Sequence, residues 1–227
     1  MTKTIVLIIL KDSKQYIAFD RGKVSLTAKL EKNRNLKRAG FTLVELLIVI
    51  ALIGVLVLVV LAAINPIEQV NKARDTRFRS DGAQLLAAID RYFTSQSEFT
   101  WVTVDSTTYS NDTALGYMTA ANQLVGVCGA TCSADGVLIT NLELKESFRG
   151  RDFLTATTDN KRIHVGKEAG ASASAYACFY PQSKSIRDKA IAGGKVYTLS
   201  MTGNGERTVT STCDSTWTTS CYICVPE

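Results

Sequence analysis

Histidine is the scarcest residue type in the sequence, with His164 as its single example. The G-x-S-x-G, H-E-x-x-H and glycine-rich phosphate-loop motifs that mark common catalytic sites are also absent. His164 lies in an alternating, strand-like segment, so we expect it to have a structural role. The sequence therefore predicts that the chain is not an enzyme and that it holds no metal or cofactor.

Polar side chains are absent from Leu46 to Ile64, a run of nineteen residues. At 1.5 Å per residue, a helix over 41–64 is long enough to cross a hydrocarbon core of about 30 Å. Only Thr42 and Glu45 interrupt this apolar segment, both near its start. Because a carboxylate in a membrane span is costly, Glu45 is a candidate functional residue.

Positive charge is concentrated at one end of the chain. Residues 1–40 contain ten Lys/Arg and three Asp/Glu, whereas the remainder of the chain contains 16 Lys/Arg and 18 Asp/Glu. The basic flank before the span, which includes Lys37 and Arg38, predicts a cytoplasmic N-terminus and an exported remainder. The net negative charge of that remainder gives no support for direct nucleic-acid binding.

Cysteine is absent from the first 127 residues. An even number confined to the exported part predicts disulfides formed in an oxidising compartment. Zinc binding and a thioredoxin-like redox pair at Cys221 and Cys224 are the alternatives, but the C-terminal tail (residues 221–227) offers no βαβ context for a redox motif. The cysteines are Cys128, Cys132, Cys178, Cys213, Cys221 and Cys224.

The segment G-F-T-L-V-E at Gly40–Glu45, followed by the apolar run, resembles the cleavage and methylation motif of type IV prepilins and secretion pseudopilins. The resemblance implies cleavage between Gly40 and Phe41 and N-methylation of Phe41 by a prepilin peptidase. It also implies that Glu45 neutralises the N-terminal amine of a neighbouring subunit. The sequence departs from the family at Ala62, where proline is common. The leader is long for the family, and the hypothesis that follows is a downstream start, for example at Val24.

The resemblance also implies partners and a location. We expect a structural subunit that polymerises with copies of itself through its apolar helix, with an assembly platform and its ATPase as further partners. The chain would cross the inner membrane once and then enter an extracellular or periplasmic filament. Two alternatives remain: the chain is a type II secretion pseudopilin, or it is a signal-anchored surface protein that binds a ligand without polymerising.

The expected fold is α+β and pilin-like, with a long N-terminal helix packed on a small antiparallel sheet and joined by disulfides. The predicted parts are a cleaved leader (1–40), a transmembrane half-helix (41–64), an amphipathic half-helix (65–97) and an exported head (98–227). We expect a kink at Asn65-Pro66 and a helix end near residues 95–98.

Local patterns give more detailed expectations. Phe78, Gly82, Leu85, Ile89 and Tyr92/Phe93 recur at helical spacing and predict a buried stripe, with Asp81 among the charged residues between them on the solvated face. Strands are predicted at 162–166, 175–180 and 195–201, a short helix at 142–148, and loops at 99–136 and 202–220.

Two further expectations concern the head. We expect a local Cys128–Cys132 bridge, with Cys178 and Cys213 bonded to the cysteines of the tail. Major pseudopilins bind calcium in an acidic loop, and the nearest analogue here is Asp105, Asn111 and Asp112. Their spacing does not match an EF-hand loop, so we predict no metal site.

Overall fold

The computed structural model describes residues 40–63, 65–213, 217 and 220–227. The chain divides into two compact units, Met1–Val55 and Leu56–Glu227. Helix α1 (Leu43–Ala63) begins in the first unit and ends in the second. The predicted leader up to residue 39, which includes Lys37 and Arg38, lies outside the described residues.

Helix α2 spans Pro66–Gln96 and has defined caps at both ends. Asn65 accepts a hydrogen bond from the Glu68 amide at 3.2 Å, and Pro66 needs no amide hydrogen in the first turn. We expected one kinked helix here, but the structure gives a helix start, because Asn65 adopts the extended backbone of an N-cap. The helix ends before Ser97, as predicted, since Ser97 adopts the left-handed conformation (φ 59°).

The buried face of α2 follows the predicted stripe. Phe78, Gly82, Leu85, Ile89 and Tyr92 are all buried. At Gly82 the helix lies close to the sheet, because an added Cβ would stand 3.2 Å from the Cβ of Ala177.

The expectation for Asp81 was wrong, because this side chain is only 2% exposed. Arg151 donates a hydrogen bond to it at 3.0 Å, so the head supplies the charge that allows the carboxylate to be buried.

The strands described in the head are β1 (Leu115–Thr119), β2 (Ile163–Lys167), β3 (Ala175–Phe179), β4 (Tyr197–Leu199), β5 (Arg207–Val209) and β6 (Ile223–Val225). They form a four-stranded antiparallel sheet with strand order β1-β2-β3-β6 and a separate two-stranded ribbon, β4-β5. Helix α2 packs on β3 and β6 of the sheet. The α+β fold with a long helix, an antiparallel sheet and disulfides is therefore confirmed.

The three predicted strands correspond to β2, β3 and β4, but the loop predictions were partly wrong. Strand β1 lies within 99–136 and β5 within 202–220. Both are short, and β1 contains an irregular register, so neither shows a clear alternating pattern. The tail also forms a strand, β6, which pairs with β3.

Short helices fill the connections. The predicted helix at 142–148 was wrong, since Leu142 adopts a left-handed conformation (φ 62°) and only a 3₁₀ turn at Glu146–Gly150 follows it. A short helix at Thr100–Val104 also lies in a predicted loop. The remaining helices are α3 (Thr100–Val104), α4 (Val137–Thr140), α5 (Asp152–Thr155) and α6 (Lys184–Ala192).

Candidate functional site: the start of the apolar helix

Thr42 and Glu45 cap the start of α1 reciprocally. The Glu45 amide donates to the Thr42 hydroxyl oxygen at 3.2 Å, while Glu45 Oε2 accepts from the Thr42 amide and hydroxyl, each at 2.9 Å. This is the capping-box arrangement, in which side chains satisfy amides that a helix start leaves without partners. The T-x-x-E spacing in the sequence carries this signal, which our prediction for Glu45 did not use.

Glu45 retains acceptor capacity beyond this cap. Both Thr42 bonds go to Oε2, and Oε1 has no hydrogen-bond partner among the described residues. The side chain is exposed, so Oε1 is able to accept from a donor outside the chain. One carboxylate can therefore cap its own helix and bind a cation at the same time.

Gly40 and Phe41 lie in non-helical backbone just before this cap. Both are exposed, and a Cβ added at Gly40 would meet no atom within 4 Å. Among the described residues, no atom restricts access to the peptide bond between them. The structure thus places the two predicted cleavage residues next to the capped helix start.

The helix that follows is apolar on every side and has no partner in the described chain. Leu43–Leu61 is long and apolar enough to cross a membrane, and none of it is buried. At 1.5 Å per residue its 19 residues span about 28 Å, close to the thickness of the hydrocarbon core. A helix with this surface requires lipid or other apolar helices around it.

The head carries three disulfides, which confirms the predicted use of cysteine. None of the cysteines is free. The pairs are Cys128–Cys132, Cys178–Cys224 and Cys213–Cys221.

The Cys178–Cys224 bridge joins residues that face each other on β3 and β6. Because Cys221 is bonded to Cys213, both cysteines of the tail are bonded to earlier parts of the head.

The residues considered for calcium use side-chain oxygen atoms for local structure instead. Asp105 accepts from Thr107 and Thr108, Asn111 Oδ1 accepts from the Phe99 amide, and Asp112 Oδ1 accepts from the Ala171 amide. Among the residues described, no group of three His, Cys, Asp or Glu side chains is arranged to hold a metal ion.

His164 lies in β2 and is 2% exposed. Burial lowers its pKa to about 4, so the imidazole is neutral at physiological pH. Its ring packs edge to face on Tyr222, with centroids 5.4 Å apart. This environment is that of a core side chain.

Glu68, which no sequence pattern singled out, joins α2 to the start of α6. Its carboxylate accepts from the Ser183 hydroxyl at 2.6 Å and from the amides of Ser185 and Lys184 at 3.0 and 3.1 Å. These bonds lower the pKa of Glu68 to about 2. A capping residue from another helix leaves no local signal, because its partners are over a hundred residues away.

Residues 35–61 match the protein family described as the prokaryotic N-terminal methylation motif. This motif is the hallmark of type IV prepilins and pseudopilins. The N-terminal part of the chain therefore resembles that of type IV pilin-like and pseudopilin-like proteins. No significant match was found among curated proteins or among solved structures.

Prepilin-like proteins are structural, and the motif implies processing by a prepilin peptidase. The apolar helix and the motif together fit a membrane-anchored pilin. The match covers the basic flank, the cleavage motif and most of α1, and it ends before the head.

Proposed function

We propose that this pilin-like chain is a structural subunit of a type IV pilus-like filament, cleaved after Gly40, N-methylated at Phe41 and polymerised through α1. The observation that carries the proposal is the position of Glu45. It lies five residues after Gly40, at the start of a helix whose apolar surface is fully uncovered.

The chemistry of cleavage supports a role for this carboxylate. Hydrolysis after Gly40 leaves the amine of Phe41 as a cation just before the first turn of α1. An unpaired charge in a low-dielectric environment costs several kcal/mol. Glu45 Oε1, which is free of partners in the described chain, offers the opposite charge to the amine of a neighbouring copy.

The apolar helix serves both states of such a subunit. Before assembly its side chains contact lipid, and in a filament they would contact the equivalent helices of other copies, so the apolar surface never enters water. The head is compact and has its cysteines paired, which suits a domain exposed outside the cell. Lys37 and Arg38 would hold the leader at the cytoplasmic face until cleavage.

The first test is the N-terminus of the exported protein, read by mass spectrometry. We expect it to be N-methylated Phe41. Any start before Phe41 would favour a signal-anchored protein that does not polymerise. Gly40→Val should accumulate as uncut precursor, because a β-branched side chain blocks access to the scissile bond, and normal maturation of this variant would contradict the cleavage site.

The second test is electron microscopy of sheared surface fractions, with the subunit identified by mass spectrometry. Filaments composed mainly of this chain are expected. Filaments seen only when a type II secretion system is present would favour the pseudopilin function instead.

A further inference from the structure

A cavity of about 170 Å³ lies on one flank of α2, between this helix and the segment that leads into α5. Its wall combines two aromatic rings with two arginines and two aspartates. The residues used below are Arg77, Phe78, Asp81, Arg151, Asp152 and Phe153.

Asp81 is the unusual member of this wall. It is 2% exposed, and its Oδ1 accepts a hydrogen bond from Arg151 at 3.0 Å. Its Oδ2 is buried and has no hydrogen-bond partner among the described residues. Buried polar atoms without partners are rare and costly, so this oxygen calls for a donor that the described chain does not supply.

The charges around the cavity restrict the chemistry of that donor. Arg77 Nη1 lies 3.6 Å from Asp152 Oδ2, and Arg151 Nη1 is bonded to Asp81 Oδ1. Each guanidinium therefore already has a carboxylate partner. The four charges cancel, and the unsatisfied atom is an acceptor. An anion would be repelled by Asp81, whereas a cationic N–H donor would bond to Oδ2 and lie against the rings of Phe78 and Phe153.

The flank of α2 that carries the cavity is uncovered closer to the membrane span. Ile67, Val70, Arg77 and Asp81 follow one another at helical spacing, and Ile67 and Val70 are 71% and 69% exposed. Exposed apolar side chains in line with an incomplete polar site are typical of a surface that a partner covers.

We propose that this flank is a contact between copies of the chain, and that the Asp81 cavity accepts a lysine or arginine side chain from the neighbouring copy. The inference rests on the proposed function, because helices that polymerise side by side bring a second copy to the flank of α2. The bond to Asp81 would then hold the heads of neighbouring copies together, in addition to the contacts between their α1 helices.

The test compares filament yield for Asp81→Asn with that for the matched variant Asp188→Asn, which changes an exposed carboxyl on α6 outside the cavity. In Asp81→Asn the side-chain carbonyl oxygen still accepts from Arg151, but the amide group replaces the acceptor Oδ2 with a donor. We expect about tenfold less assembled protein for Asp81→Asn and unchanged yield for Asp188→Asn. Equal yields for both variants would overturn the inference.

A crosslinking experiment keeps Asp81 intact and so does not depend on how the variant folds. Photoreactive p-benzoylphenylalanine is placed at position 150, an exposed glycine at the cavity where an added Cβ meets no atom within 4 Å, or at position 189, which is exposed on α6. Irradiated filaments should give covalent dimers mainly from position 150, linked to a peptide that contains lysine or arginine. Equal dimer yields from the two positions would show that the cavity holds only water or a small amine.

The two proposals fail in different ways. If the unmodified chain forms no filaments, the proposed function and the contact both fall. If filaments form and neither the variant nor the crosslinks single out the cavity, only the contact falls.

Discussion

The side-chain nitrogen of Lys167 lies 2.5 Å from the carbonyl oxygen of Gly170. The same ammonium donates to the carbonyl oxygens of Asn111 and Glu168, each at 3.1 Å. Lys167 is 0% exposed, and its Nζ also lies 5.2 Å from the centre of the Phe99 ring. One buried cation therefore joins the loop before β1 to the turn after β2.

Lys167→Met should destabilise the head by about 3 kcal/mol, because three carbonyl groups lose a charged donor while the apolar stem is retained. Chemical denaturation of the processed protein in detergent measures this change. Lys189→Met is the control, since Lys189 is exposed on α6. A loss below about 0.5 kcal/mol for Lys167→Met would mean that water replaces the ammonium without cost.

Glu45 can be tested with two variants that separate its two contacts. Glu45→Gln keeps an oxygen able to cap α1 but removes the charge, whereas Glu45→Ala removes both. Both variants should be cleaved after Gly40, and both should enter filaments at least about tenfold less efficiently than the unmodified chain. Quantitative immunoblots of sheared and membrane fractions measure this ratio. Normal assembly of Glu45→Gln would show that only the cap matters.

The three disulfides should contribute unequally to stability. Cys178–Cys224 spans 46 residues, against 8 for Cys213–Cys221 and 4 for Cys128–Cys132. Loop-closure entropy predicts about 4 kcal/mol for the longest of these loops and about 2 kcal/mol for the shortest. Paired Cys→Ala variants, compared by thermal melting, should follow this order. The prediction is contradicted if loss of the Cys128–Cys132 bridge proves the most damaging.

Acid should weaken the head through His164. Burial lowers the folded-state pKa of this residue to about 4, whereas the unfolded chain titrates near 6.5. Between these values the unfolded state binds the extra proton, so stability falls as the pH decreases from 6.5 and levels off below 4. The loss attributable to His164 is about 3 kcal/mol.

Denaturation curves at about pH 7, 5.5 and 4 test this effect against His164→Phe, which keeps a ring beside Tyr222 but cannot titrate. The variant should lose less stability on acidification than the unmodified protein. Parallel pH profiles for the two proteins would rule His164 out. Glu68 becomes protonated at lower pH than His164. Its pKa of about 2 keeps the carboxylate charged and bonded to α6 until the pH falls well below the pKa of an ordinary glutamate.

The sequence predicted the features that depend on neighbouring residues. The apolar run from Leu46, the stripe from Phe78 to Tyr92 and the strand around Val165 are periodic patterns that local composition determines. The even cysteine count likewise predicted disulfides.

The missing elements depend on distant partners. Strand β6 has three residues and exists because β3 offers an edge, so the tail alone gives no strand pattern. Asp81 looked like a surface charge because Arg151, seventy residues later, is what permits its burial. The kink predicted at Pro66 was wrong for a local reason, because proline also fits the first turn of a helix and Asn65 caps a new helix there.

The closing strand of the main sheet follows all the other strands in chain order. Because β6 pairs with β3 and Cys224 bonds to Cys178, the sheet stays incomplete until the chain has been synthesised as far as Cys224. In the proposed membrane-anchored subunit, any enzyme that oxidises this pair would act on a head that is already tethered and exported as far as Cys224. A stop codon shortly before Cys224 would leave a tethered domain with an open sheet edge and an unpaired thiol at Cys178.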